Sequence, residues 1–266
     1  MKKIVVDKYT CARCGQCTLA CPSRLFVQDT VKDYPSVVEG AGEICLSCHH
    51  CIAACPSGCI RVDGVSSKDC EPFTKEVTPR FDHIANLIRL RRSIRRYDPK
   101  PLDDKIIVQL LNVVRWAPSA KNGWPVKWIV VNGYEKVHEL AGLVIEWMRP
   151  DEALKTLVAA WDAGKDPVLR GAPCLIVAYT DDSALWPVVD TTIAVETLDL
   201  CAAAMRLGSC WAGFFIRAAQ NEPIINRWLG LRDTQTVHGG LMIGHIDSEV
   251  YRRIPPRPEL DLRWIR

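Results

Sequence analysis

The sequence predicts an α+β protein with a small first domain and a larger second one. Three observations lead there. Residues 11–55 carry one cysteine pattern twice. Residues 66–80 are polar and include Pro72 and Pro79. Beyond them, helical and strand periodicities mix without a regular βαβ rhythm. A length of 266 residues suits two domains, placed at 1–65 and 81–266 with 66–80 as a linker. A net charge of +3 points to no particular partner. No apolar run approaches a membrane span, and the first residues lack the apolar stretch of a signal peptide. No membrane and a cytoplasmic location are therefore expected, in keeping with reduced thiols.

The first cysteine pattern is Cys11-x2-Cys14-x2-Cys17-x3-Cys21-Pro22. The second is Cys45-x2-Cys48-x2-Cys51-x3-Cys55-Pro56, with every position 34 residues after its counterpart. This is iron–sulfur spacing: three thiolates wrap one cubane, and the fourth, after a short helical turn, reaches the neighbouring one. The proline stops that turn. One [4Fe-4S] cluster is thus expected on Cys11, Cys14, Cys17 and Cys55, and a second on Cys45, Cys48, Cys51 and Cys21. Zinc would use two cysteines of each half and leave the others unexplained. Disulfides fit poorly with thirteen cysteines, an odd number, and with closely spaced thiols. Cys59, Cys70, Cys174, Cys201 and Cys210 fall outside the pattern, and the last three lie in apolar runs that suit small core residues. His49 and His50 read as exposed loop residues. Over roughly the first 65 residues the chain resembles the two-cluster bacterial ferredoxins. The resemblance implies a βαββαβ unit with one short helix per motif. So small a domain buries little apolar surface, and its clusters would act as covalent staples.

In order, strands are expected at 4–6, 24–28, 36–39 and 60–62. In the larger domain Ile84, Leu87 and Ile88 have helical spacing. Asp103 and Asp104 open a helix carrying Ile106, Leu110, Val113 and Val114, with Pro118 as its stop. A strand at 126–131 precedes helices marked by Val137 to Met148 and by Leu154 to Trp161. Residues 174–179 form a nearly all-apolar strand suited to a sheet centre. Residues 190–206 form a buried helix ended by Gly208. A strand at 210–215, a helix at 223–229 and a strand at 240–243 complete a central mixed sheet flanked by helices.

Three stretches carry candidate chemistry. Residues 89–97 hold five arginines and include Arg91, Arg92, Ser93, Arg95 and Tyr97. Residues 116–125 contain Pro118, Ser119, Ala120, Asn122, Trp124 and Pro125. Residues 244–258 contain Gly244, His245, Tyr251, Arg252, Arg253 and Arg257. Guanidinium forks match phosphate oxygens, which makes the first and third stretches candidate phosphate sites. The alternatives are a solvated helix face or a nucleic-acid patch. The near-neutral total charge and the confinement of arginine to two clusters argue against nucleic acid.

Residues 84–266 resemble the flavin-dependent nitroreductase superfamily. The R-x-S-x-R-x-aromatic signature is Arg91, Ser93, Arg95 and Tyr97; the P-S-x-x-N-x-x-P loop is Pro118, Ser119, Asn122 and Pro125; the basic C-terminal segment is 253–257. The resemblance implies FMN at a homodimer interface. Arg91, Arg92, Ser93 and Arg95 would hold the phosphate side, with Arg253 or Arg257 as a further ligand. Pro118, Ser119, Ala120 and Asn122 would come from the partner subunit. The segment 208–213, with Trp211 and Gly213, would face the flavin ring, where a backbone N–H steadies developing charge. Trp124 replaces the usual glutamine. It either narrows the substrate pocket or packs at the dimer interface.

The combination implies an FMN-dependent oxidoreductase. Single electrons enter from a ferredoxin-like donor through the clusters, and the flavin reduces a small acceptor such as a nitroaromatic or quinone. NAD(P)H docking directly on FMN is the other entry. No catalytic side chain is expected, because the cofactor carries the chemistry. Alternatives are reductive dehalogenation or dehydrogenation on the same scaffold, a module passing electrons to a protein partner, and clusters that are purely structural.

Overall fold

The computed structural model describes residues 1–30, 32–72, 74–247 and 253–266. The chain separates into two compact units, residues 1–78 with 121–123, and residues 79–120 with 124–266.

The first unit runs β1 (Ile4–Val6), α1 (Gln16–Ala20), β2 (Phe26–Val27), β3 (Ser36–Val37), α2 (Ala41–Ile44), α3 (His50–Ala53) and β4 (Ile60–Val62). β1 pairs antiparallel with β4, placing Ile4 opposite Val62, and β2 pairs antiparallel with β3. The outer strands match the expected spans; the inner two are shorter. The helix α2 was not expected. Gly42 permits it: a Cβ there would lie 2.3 Å from the Lys2 carbonyl oxygen, so only glycine lets α2 approach the N-terminal strand. Lys2 N donates to Gly42 O at 3.1 Å, and Lys2 Nζ donates to Cys45 O. Leu25, Phe26, Ile52, Ile60 and Val62 form the small core. The stretch read as linker holds two 3₁₀ turns, Ser67–Asp69 and Lys75–Val77. Ser66 and Asp69 cap the first turn reciprocally, the capping-box arrangement.

The second unit runs α4 (Phe81–Leu90), α5 (Asp104–Val114), β5 (Lys127–Asn132), α6 (Tyr134–Met148), α7 (Lys155–Asp162), β6 (Cys174–Asp181), α8 (Pro187–Ala204), β7 (Gly208–Trp211), α9 (Gly213–Asn221), α10 (Pro223–Trp228) and β8 (Gln235–Gly244). Its sheet has the order β5-β6-β8-β7 with antiparallel pairing throughout, and Ser93 adds a parallel bridge to Ser209 on β7. β6 covers both layers. Cys174, Ile176 and Ala178 belong to one core with Leu110, Val114 and Leu198 of α5 and α8; Leu175 and Val177 belong to the other with Leu140, Val144 and Phe215 of α6 and α9. A strand buried on both faces reads as a continuous apolar run, as this one does.

Asp103 is the N-cap of α5, its side chain accepting from Lys105 N at 2.8 Å. Three spans depart from expectation. α8 ends at Ala204, and Arg206, at φ 59, makes the left-handed turn. Gly208 instead begins β7, where a Cβ would meet Ile94 Cγ2 at 2.7 Å. The strand expected at 210–215 stops at Trp211, and Phe214 and Phe215 lie in α9. The last strand is ten residues long rather than the four of 240–243, because Gly239 and Gly240 pack under Val195, Thr191 and Phe215 and so stay within it. Among the described residues, no helix is long and apolar enough to cross a membrane.

Candidate functional site

The cysteine repeat is also a repeat of backbone shape. Left-handed residues occur in pairs 34 apart: Arg13 with Ser47, Gly15 with His49, and Arg24 with Gly58. Four of these six are not glycine, although the conformation costs an ordinary residue roughly 1–2 kcal/mol. Such turns wrap the chain around a centre and turn backbone N–H groups toward it. Arg13 N lies 3.4 Å from Cys11 Sγ, and Leu25 N lies 3.4 Å from Cys21 Sγ.

The sulfurs fall into two groups that cross between the motifs. Cys17 has a raised pKa, through burial first and then through the sulfurs of Cys11 and Cys55. Cys51 is pushed up to about 11, by burial first and then by Cys21, with Cys48 and Cys45 adding to it. A cavity is lined by Cys21, Cys45, Cys48 and Cys51, with Leu25 and Phe26. Cys21, the fourth cysteine of the first motif, thus lines a cavity with the first three of the second, and Cys55, the fourth of the second, acts on Cys17 of the first. Cys14 is exposed, and none of the thirteen cysteines is in a disulfide. Among the described residues no three His, Cys, Asp or Glu side chains converge on a single-ion site. A cubane requires no such point, because each thiolate caps a different iron. His50 is exposed and His49 half-buried.

Cys59, outside the sequence pattern, joins the first group. Its Sγ lies 3.4 Å from Cys55 Sγ, and its thiol is pushed up to about 12, mainly by burial. Cys174 and Cys210 are buried, as small core residues should be, whereas Cys201 is only partly so.

In the second unit, Arg91, Arg92 and Ser93 are half-buried and Arg95 is exposed. Ser93 runs beside Ser209, and Ile94 N donates to Ser209 O at 2.8 Å. Arg91 Nη1 donates to Asp199 Oδ2 at 3.1 Å, and Ser209 Oγ donates to Asp199 Oδ1. One Arg91 N–H is thus committed within the fold, and Arg95 Nη1 donates to Ser93 O at 3.3 Å. Arg95 and Arg170 both act on Tyr97 and Cys210. Burial pushes the Tyr97 phenol far up, against the pull of both guanidiniums. Burial likewise raises Cys210, opposed by Arg95, a Ser93 hydrogen bond and Arg170. Tyr97 Oη donates to Ile94 O at 2.6 Å, which fixes the ring beneath this segment.

Arg170 had no signal in the sequence. It sits at φ 60, held there by Asp166, whose carboxylate accepts from Val168 N, Leu169 N and Gly171 N, each at 2.9 Å.

The loop residues 118–120 are tied down from α8. Ala120 N donates to Asp190 Oδ1 at 2.9 Å, and Trp124 N donates to Ser119 Oγ at 3.0 Å. Asp190 is 3% exposed, and its Oδ2 has no partner among the described residues. Pro118 and Trp124 are exposed. Asn122, counted with the first unit, donates from Nδ2 to Leu46 O and Ser47 O, each at 3.3 Å. At the other end of the site, Ala212 N donates to Gly240 O at 2.9 Å and so serves the sheet. Gly213 opens α9, whose first N–H groups receive no side-chain cap among the described residues, and Trp211 beside it is exposed. Arg253 and Arg257 are exposed; Tyr251 and Arg252 lie outside the described residues.

Residues 88–245 match the model of the nitroreductase family, and residues 10–60 match that of the 4Fe-4S dicluster domain. A protein of Archaeoglobus fulgidus named as a candidate NADH dehydrogenase/NAD(P)H nitroreductase is 27% identical over 170 residues, 64% of this chain and 88% of that protein. One of Methanothermobacter thermautotrophicus with the same name is 26% identical over 154 residues, 56% of this chain and 66% of that protein. Among solved structures, a nitroreductase of Bacteroides fragilis with bound FMN superposes with a TM-score of 0.58 at 19% identity, covering 67% of this chain and 97% of that one. A nitroreductase of Desulfitobacterium hafniense with bound FMN gives 0.57 at 20% identity, covering 68% and 96%. At these identities the structures show a shared fold.

Proposed function

Because the chain belongs to the nitroreductase family and carries a 4Fe-4S dicluster domain before it, we propose that it is an FMN-dependent oxidoreductase. In this reading it accepts electrons from an external donor at its cysteine-rich unit and delivers them to a small acceptor, such as a nitroaromatic or quinone, at the second unit. When bound, iron–sulfur clusters carry electrons singly and FMN exchanges them singly or in pairs, so the two together join a one-electron donor to a two-electron reduction.

The observation that carries the reading is the crossing of the sulfurs. Cys21 lines one cavity with Cys45, Cys48 and Cys51, and Cys11 and Cys55 both act on the Cys17 thiol. Four thiolates for each of two cubanes fit that division, with Cys14 completing the first set.

The second unit fits FMN through its donor set. Ser93, Arg95 and Arg170, with Arg253 or Arg257, supply hydroxyl and guanidinium donors for a phosphate. Arg91 holds β7 in place through Asp199, and among the described residues its other side-chain N–H groups have no acceptor, which suits an anion. Arg92 belongs to the same segment. The uncapped N–H groups at Gly213 suit the ring, where negative charge develops on reduction. The loop with Pro118, Ser119, Ala120 and Asn122 is assigned to the flavin of a second subunit. A homodimer is supported by exposed apolar side chains: Phe81, Ile88 and Leu90 on α4, and Trp186, Val188 and Val189 at the start of α8.

Anaerobic stopped-flow mixing tests the proposed entry. A reduced ferredoxin-type donor should change cluster absorbance before flavin absorbance. Rapid flavin bleaching by NADPH while the clusters stay oxidised would contradict a route through the cysteine unit.

A further inference from the structure

Of the buried positions at which the two halves of the cysteine unit differ, one carries a thiol. Cys59 stands four residues after Cys55; its counterpart, four after Cys21, is Leu25. Both side chains are buried, Cys59 to 5% exposure and Leu25 to 2%. Leu25 offers Cys21 only its backbone N–H, at 3.4 Å. Cys59 places a thiol 3.4 Å from Cys55 Sγ, and Ser57 Oγ stands 3.6 Å from the same sulfur.

We propose that Cys59 is a hydrogen-bond donor that raises the reduction potential of the cluster held by Cys11, Cys14, Cys17 and Cys55 above that of its neighbour. The inference rests on the two-cluster reading given above. A cysteine that ligates iron has no proton, so in the 3.4 Å contact the hydrogen can come only from Cys59. A donor to a ligand sulfur favours the reduced state, which carries one more negative charge, and so raises the potential. Cys59 is well placed to hold this contact. It immediately precedes β4, and its carbonyl accepts from Asp7 N at 2.8 Å. Leu25, with an aliphatic side chain, gives the other cluster no such donor. Electrons entering the unit then collect on the cluster capped by Cys55.

Redox potentiometry of the anaerobic full-length protein, read by electron paramagnetic resonance, tests this with three variants. The native protein should titrate in two separate steps. Cys59→Ala should lower the upper step and leave the lower one in place. Leu25→Cys should raise the lower step alone. Cys59→Ser, which keeps a donor, should stay closer to the native protein than Cys59→Ala. Unchanged steps in Cys59→Ala, an equal shift of both, or a shift of the same step by Cys59→Ala and Leu25→Cys would overturn the inference. Iron analysis accompanies every sample. A native protein with two intact clusters and insensitive potentials refutes the role of Cys59 alone, whereas a native protein without two clusters refutes the underlying reading as well.

Discussion

Arg91 and Asp199, far apart in the sequence, are joined by an ion pair of 3.1 Å in which both side chains are largely buried. The other Asp199 oxygen accepts from Ser209. One carboxylate on α8 therefore fixes both the arginine-rich segment and β7, the two pieces of backbone that line the proposed flavin site. Asp199→Ala removes both bonds. Breaking a buried pair costs about 3–5 kcal/mol, and the partial exposure of Arg91 should reduce this to roughly 2–3 kcal/mol. Urea unfolding should report that loss together with lower flavin occupancy. An unchanged midpoint would show that the pair contributes nothing net.

Asp190 should be needed for the loop rather than for the chemistry. Its Oδ1 holds the Ala120 N–H, so Asp190→Ala leaves a donor without a partner at a cost of roughly 1–3 kcal/mol. Asp190→Asn keeps an acceptor in the same place and should retain most of the stability. Equal losses in the two variants would mean that the negative charge, not the hydrogen bond, is what the fold requires.

His49 carries a left-handed backbone at φ 58 where the first repeat has Gly15. His49→Gly should relieve that strain, offset in part by a more flexible unfolded chain, for a gain of roughly 0.5–1 kcal/mol. Denaturation followed by cluster absorbance measures it. A loss of stability would assign the imidazole a role of its own.

His238 gives the protein an acid sensitivity. Burial lowers its pKa, partly opposed by Asp182, and its Nδ1 has no partner among the described residues. The unfolded chain therefore takes up a proton before the folded one does. The stability held by neutral His238 is complete above the ordinary histidine pKa of about 6.5 and declines as pH falls through the depressed folded value. Unfolding measured from pH 8 to 5 should fall less steeply in His238→Gln than in the native protein. Parallel curves would exclude this residue as the source.

Much of this was legible in the chain because the signals are local. The cysteine spacing repeats within 45 residues, and left-handed turns follow the same 34-residue interval. Asp103 announced α5 because an N-cap acts on its own first turn. The boundary between β7 and α9 was hidden, since the apolar run through Phe214 and Phe215 suits either element. β8 was begun too late, at Gly240, because the close packing of Val195 and Thr191 on Gly239 leaves no trace in the sequence. The partners of Arg91, Ala120 and Cys55 were invisible for a different reason. Asp199 and Asp190 meet theirs only through the packing of α8, and the Cys59 thiol meets Cys55 only through the turn that leads into β4.

The central claim is that one polypeptide holds both kinds of redox centre. Iron, acid-labile sulfide and flavin analysis of anaerobically purified protein, with its electron paramagnetic resonance spectrum, tests this most directly. The account predicts about eight irons, about eight sulfides and about one FMN per chain, with signals from two reduced [4Fe-4S] centres. About four irons or fewer, with no flavin absorbance, would contradict it.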